Sequence, residues 1–319
     1  MWRIVLAVKV IVTIGLLAWL VSKVDPASLL QQLTRGDPIL LLAGTAVLAL
    51  SPLLGALRWR LILGRLGAAL PTNGIVQWTY AGVFFNQVLP ATVGGDGLRI
   101  WLASRAGAPL ATVINSVVLD RVAMILSLVA LVVASAPWFG ALVPRPQLIL
   151  LGGLLLGGTA SGLVFVMAAD AMPKSLLRWR VARWVASLSR DTRSLFLNLR
   201  SGPGIVVLSV ASMFNIMLSI CLFALAFGAR ASGAEILVLL PPVIAASTLP
   251  ISIGGWGTRE VAMIAALGTI GVPAETAVLA SIWLGLASIV TSLPGAFFHF
   301  ISPKIARPSR GELAHGADS

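Results

Sequence analysis

The chain has 319 residues, of which 58% are hydrophobic and 11% charged, with a mean hydropathy of +0.98 and a formal charge of +12. Soluble proteins carry roughly 25% charged residues, so an ordinary water-soluble domain is excluded and an integral membrane protein of about one membrane domain is expected. The single cysteine, Cys221, and the two histidines, His299 and His315, leave no disulfide framework, metal site or histidine-based triad to expect.

Taken in chain order, apolar runs close to the roughly 20 residues of a spanning helix cover 4–22, 38–57, 113–135, 147–168, 204–227 and 275–300, and predict six full spans. Arg58-Trp59-Arg60 follows the second run. It fits a surface anchor with its ring at interface depth, or simply a helix end. Two further apolar stretches, 73–89 and 235–249, run into a segment that occurs twice: Pro90-Ala91-Thr92-Val93-Gly94-Gly95-Asp96-Gly97-Leu98-Arg99 and Pro250-Ile251-Ser252-Ile253-Gly254-Gly255-Trp256-Gly257-Thr258-Arg259. Both read P-x-[ST]-[VI]-G-G-x-G-x-R, which breaks a helix at membrane depth. Between the copies, Leu177, Val181, Trp184 and Leu188 recur at helical spacing beside Arg178, Arg183, Arg190 and Arg193. That pattern predicts a basic amphipathic helix on the inner leaflet within 174–200. Residues 303–319 read as a short disordered cytoplasmic tail.

The distribution of charge sets the topology. If both motif segments enter and leave on one side and both termini are cytoplasmic, only Lys23, Arg35, Arg145 and Arg230 fall outside, with Lys9, Arg99, Arg121 and Arg259 at membrane depth. The remaining basic residues are then cytoplasmic, as cytoplasmic loops prefer. Full crossings would instead put the basic loops 58–72 and 174–200 on opposite faces. The repeat also extends beyond the motif, since Gly107-Ala108-Pro109 with Thr112 is echoed by Gly271-Val272-Pro273 with Thr276. Each half is thus three spans and one re-entrant pair, and an odd number of spans turns the second half upside down. The expected fold is an all-α polytopic membrane protein: six full spans plus two re-entrant helix pairs arranged as an inverted repeat. Residues 1–140 form the first repeat, 141–302 the second and 303–319 the tail.

Irregular backbone at membrane depth survives only where it lines a cavity or is buried in protein. A half-helix starting near Gly97 or Gly257 would present free N–H groups and a positive dipole end, with Arg99 or Arg259 in its first turn. Gly94, Gly95, Gly97 and Arg99, with Gly254, Gly255, Gly257 and Arg259, therefore form a candidate anion site between the two tips, for which a lipid phosphate is the expected occupant. Alternatively, the glycines only turn the chain, Asp96 caps a helix and each arginine pairs with a neighbouring acid. Asp120 and Arg121 are adjacent charges inside a span. They read either as a cation acceptor and a second head-group contact or as an ion pair locking the span. Glu260 either neutralises Arg259 when no lipid is bound or is a favourable first-turn acid. No G-x-x-x-x-G-K-[ST] loop is present, so no nucleotide or other cofactor is expected.

The Arg58-Trp59-Arg60 run, the Asn86-Gln87-Val88-Leu89-Pro90 lead into Gly-Gly-Asp-Gly-Leu-Arg, the Asp120-Arg121 pair and the Pro250 to Glu260 copy resemble the lysylphosphatidylglycerol synthase transmembrane-region family. The resemblance covers about residues 5 to 300. It implies a flippase-like domain in the plasma membrane for a phospholipid or isoprenoid-type lipid. Larger members carry a soluble aminoacyltransferase or glycosyltransferase domain that these 319 residues lack, so lipid synthesis by this chain is not expected.

The leading expectation is a flippase for a lipid with an anionic head group, coupled to a lipid or ion gradient through Asp96, Asp120 or Glu260. A second is a non-transporting subunit that docks a separate synthase or glycosyltransferase through 174–200. A third, an intramembrane enzyme using Asp96 or Glu260 as acid or base, ranks last because no nucleophile stands beside a base at recognisable spacing.

Overall fold

The computed structural model describes residues 26–88, 94–139, 178–196, 202–248 and 257–301, with isolated helical positions at 12, 15, 16, 18, 153, 157, 158 and 161. Every regular element among the described residues is helical: α1 (Pro26–Arg35), α2 (Pro38–Leu48), α3 (Ser51–Arg65), α4 (Thr72–Val88), α5 (Gly94–Arg105) and α6 (Leu110–Phe139), then α7 (Arg180–Phe196), α8 (Gly202–Ala226), α9 (Gly233–Thr248), α10 (Thr258–Gly268) and α11 (Ala274–Ile301).

Among the described residues, four helical stretches are long and apolar enough to cross a membrane: Pro38–Arg65, Leu110–Trp138, Gly202–Ala226 and Ala274–Phe297. They coincide with four of the six runs read as spans, and they make the chain a multi-pass membrane protein. The runs at 4–22 and 147–168 lie outside the described residues apart from the isolated positions above, as does the tail at 303–319.

Local chemistry explains the helix starts. At α2, Asp37 Oδ1 accepts from the Ile39 and Leu40 N–H groups at 2.8 and 3.3 Å, and Pro38 occupies the first turn, where its missing N–H costs nothing. At α9, Ser232 and Glu235 bond reciprocally: Glu235 Oε2 accepts from Ser232 N–H at 2.8 Å while Ser232 Oγ accepts from Glu235 N–H at 3.2 Å. This is a capping box that satisfies donors the helix cannot.

The described ends of the two glycine-rich segments open short helices. α4 packs against α5, and α9 against α10. With 12 residues in α5 and 11 in α10, these helices are about 18 and 16 Å long, short of the roughly 30 Å hydrocarbon layer. The connecting residues 89–93 and 249–256 lie outside the described residues. The α4–α5 contact is backbone on backbone: a Cβ added at Gly95 would lie 1.9 Å from the Gly82 carbonyl oxygen. Small residues at a helix crossing allow this approach.

The chain divides into two compact units, one comprising 1–51, 122–165 and 209–291, the other 52–121, 166–208 and 292–319. The first has its core around Leu41, Met217, Phe223, Leu240, Met263 and Leu267. The second packs Trp59, Leu63, Ile75, Trp78, Val113 and Val117 together. Also in the second unit, α7 is tied to α6 by Asn115, whose amide donates to Asp191 Oδ2 at 2.6 Å. The sequence places an apolar stripe on Val181, Trp184 and Leu188. The buried face instead centres on Leu188, Ser189, Thr192 and Leu195, with Trp184 partly exposed and Arg178, Arg183, Arg190 and Arg193 outward. Leu188 is common to both faces, and the Val181 side chain lies outside the described residues. Leu177 lies outside the described residues.

Candidate functional site

In the second unit, three helices converge on one charged ladder. The first turn of α5 carries Asp96, and Arg99 follows three residues later on the same face, so Arg99 Nη2 reaches Asp96 Oδ1 at 2.6 Å. α6 contributes Ser116 and Asp120, four residues apart, and then Arg121. α3 contributes Arg58 and Trp59. Arg58 Nε donates to Asp120 Oδ1 at 2.6 Å, and Arg99 Nη1 lies 3.6 Å from Asp120 Oδ2. Arg121 grips Asp96 with two nitrogens, Nε to Oδ2 at 2.9 Å and Nη2 to Oδ1 and Oδ2 at 2.8 and 2.7 Å.

Under this ladder lies Trp59. Its indole N–H donates to Ser116 Oγ at 2.9 Å, Ser116 donates to the Val113 carbonyl at 2.7 Å, and the Arg99 guanidinium carbon stands 5.0 Å from the ring centroid. An arginine over a tryptophan face is attracted to the ring quadrupole. Charges thus alternate from Arg58 through Asp120, Arg99 and Asp96 to Arg121, three arginines against two aspartates. Burial decreases in the same order: the Arg58 and Asp120 side chains are 3% exposed, Asp96 14% and Arg121 45%.

In the first unit, the second motif copy solves the same problem differently. Gly257 precedes α10 with φ +87°, and its N–H donates to Glu260 Oε2 at 2.6 Å. Glu260 Oε1 accepts from Ser281 Oγ at 2.6 Å and from Arg259 Nη2 at 3.2 Å. Arg259 also donates through Nε to Ser281 Oγ at 2.6 Å and through Nη2 to the Ser281 carbonyl at 2.9 Å. Glu260 is 1% exposed, so one buried carboxylate serves the helix start, the arginine and the neighbouring span at once. Replacing Gly257 with alanine is expected to cost roughly 1–3 kcal/mol, because an L side chain resists this backbone and the new Cβ would lie 2.7 Å from Leu16 Cβ. Thermal unfolding of the purified protein in detergent checks it.

The two copies of the motif therefore place Arg99 and Arg259 at one sequence position with different counter-ions. Gly94, Gly95 and Gly97 lie in the first turn of α5, Gly95 buried and Gly97 exposed; Gly254 and Gly255 lie outside the described residues. The Arg58-Trp59-Arg60 surface anchor is not what the fold makes of these residues. Only Arg60 is exposed; Trp59 is fully buried. The reason is that Asp120 supplies a counter-charge, Ser116 an acceptor for the indole, and α3 continues to Arg65 past the end of the apolar run. Asp120 and Arg121 do not pair with each other in the ladder, since adjacent helix positions point about 100° apart. Ser116 and Ser281 carry no sequence signal, each being one serine in an apolar span. Arg178 and Arg183 are exposed on or beside α7.

A protein-family model described as the lysylphosphatidylglycerol synthase TM region matches residues 5–295 of the chain. Among curated proteins, none matches it.

Proposed function

Because the chain belongs to the lysylphosphatidylglycerol synthase transmembrane-region family, which relates it to lipid handling, we propose that it is a flippase that moves a lipid with an anionic head group between leaflets. The observation that carries this reading is the ladder from Arg58 to Arg121: it sets three arginines against two aspartates among apolar helices and ends in a half-exposed guanidinium. Charge at membrane depth is costly and marks substrate paths, and an arginine fork matches phosphate oxygens. The lipid phosphate binds at Arg121 beside the first turn of α5, while the acyl chains stay in lipid. Arg259, committed to Glu260 and Ser281, braces the second hairpin.

The short α5 and α10, each packed on its partner, support two re-entrant pairs beside six spans in an inverted repeat. In the plasma membrane, with both termini cytoplasmic, the outward arginines of α7 meet the anionic inner leaflet. The protein acts without converting its lipid, and a lipid or ion gradient sets direction. Reconstitution into vesicles with a fluorescent phosphatidylglycerol tests this: Arg121→Gln is expected to slow scrambling about tenfold or more, the equivalent of one lost charge-assisted contact. Equal rates for wild type and variant overturn the reading.

A second reading rests on α7, whose exposed Arg183, Arg190 and Arg193 beside the exposed Trp179 would dock a separate lipid-modifying enzyme. It takes over if wild type moves no lipid and captures such an enzyme in a manner abolished by Arg183→Glu with Arg190→Glu.

A further inference from the structure

We propose that Asp96 is an internal counter-anion that competes with the lipid phosphate for the guanidinium groups of Arg99 and Arg121. The inference rests on the phosphate reading above and deepens it into a release device.

Asp96 takes donors from two arginines. Arg121 presents Nε and Nη2 to both of its oxygens at 2.7–2.9 Å, and Arg99 presents Nη2 to Oδ1 at 2.6 Å. A carboxylate and a phosphodiester each offer a pair of oxygens that suits such a fork. The fork accepts either one and not both, because the two anions repel.

Burial decides which rung can exchange. Asp120 and Arg58 are sealed at 3% exposure, whereas Asp96 and Arg121 stand at 14% and 45%. Beside Asp96, Gly97 leaves open space: a Cβ added there meets nothing within 4 Å. When Asp96 lets go, Arg99 keeps its place between Asp120 and the face of Trp59. In the second copy, Glu260 is fully engaged by Gly257, Ser281 and Arg259 and is 1% exposed, so it has no such freedom. Transport requires a site attractive enough to enter and weak enough to leave. A resident carboxylate that returns to the fork lowers net affinity and expels the cargo anion.

The test uses the full-length protein in nanodiscs containing phosphatidylglycerol and a phosphate-free glucosyl diacylglycerol, with retained lipid measured by native mass spectrometry and scrambling measured in vesicles. Asp96→Asn is expected to hold phosphatidylglycerol about tenfold more tightly, the scale of one charge-assisted contact, to scramble it more slowly, and to leave glycolipid retention unchanged. Asp96→Glu is expected to return retention to the wild-type value. Arg121→Gln is expected to lose phosphatidylglycerol retention, which tests the phosphate site itself, and should Asp96→Asn not fold, Asp96→Ser carries the same expectation of tighter retention. The proposal is overturned if Asp96→Asn retains phosphatidylglycerol no better than wild type, or if Arg121→Gln retains it equally well. If wild type scrambles no lipid while Asp96→Asn still binds more tightly, the flippase reading fails and the competition stands. If wild type scrambles and Asp96→Asn does not tighten, the competition alone fails.

Discussion

Asp120→Ala is expected to destabilise the protein by about 3–5 kcal/mol, the cost of breaking a buried ion pair by removing one partner. Arg58 Nε lies 2.6 Å from Asp120 and Arg99 Nη1 lies 3.6 Å from it, so truncation removes the acid that stands between two guanidinium groups. Asp120→Asn keeps an acceptor for Arg58 and should cost less. Replacing the pair together, Arg58→Met with Asp120→Leu, should recover much of the loss, because an apolar pair of similar volume avoids desolvating both charges. Unfolding temperature in detergent, followed by the loss of monodisperse protein, reads all three. A wild-type temperature for Asp120→Ala would mean that the ladder does not hold α3 to α6.

Gly95→Ala is expected to be more damaging than its single methyl suggests. The added Cβ would sit 1.9 Å from the Gly82 carbonyl oxygen and 2.7 Å from Asn86 Oδ1. The first is backbone and cannot swing aside, so α4 and α5 must separate and the Gly95 N–H must leave Asn86, to which it donates at 2.9 Å. Overpacking of this kind costs typically 1–3 kcal/mol and more where nothing can yield. Here it also displaces Asp96 and Arg99, so the proposed lipid movement should be lost together with stability. Gly97→Ala is the control. Two residues away, its Cβ meets nothing within 4 Å, and alanine in a helix gains roughly 0.5–1 kcal/mol over glycine. If the two alanines behave alike, the close approach of α4 and α5 is not what the glycines serve.

The contrast between these two glycines shows where sequence reasoning reaches and where it stops. Both stand in the repeated motif, and their residue type predicts a break for each. Only packing tells that Gly95 is a contact and Gly97 an opening. The same holds for the charges. Asp96, Arg99, Asp120, Arg121, Arg259 and Glu260 stand out from apolar surroundings by type alone, and Arg99 with Asp96 follows from their spacing of three. The partnership of Arg58 with Asp120 spans 62 residues and that of Arg121 with Asp96 spans 25, beyond any local rule. Arg58 even misleads, because it ends an apolar run and so reads as surface.

Apolar run length and composition are enough by themselves to establish a multi-pass helical membrane protein. These properties depend on the solvent each residue prefers and on backbone freedom, both local. Tertiary structure alone decided which acid answers which arginine, that Trp59 and Ser116 lie beneath Arg99, that Ser281 completes the second copy, and that Arg121 is the exposed end of the ladder. Those are matters of distance and burial between helices far apart in the chain, and a counter-ion is chosen by whichever group the packing brings within reach.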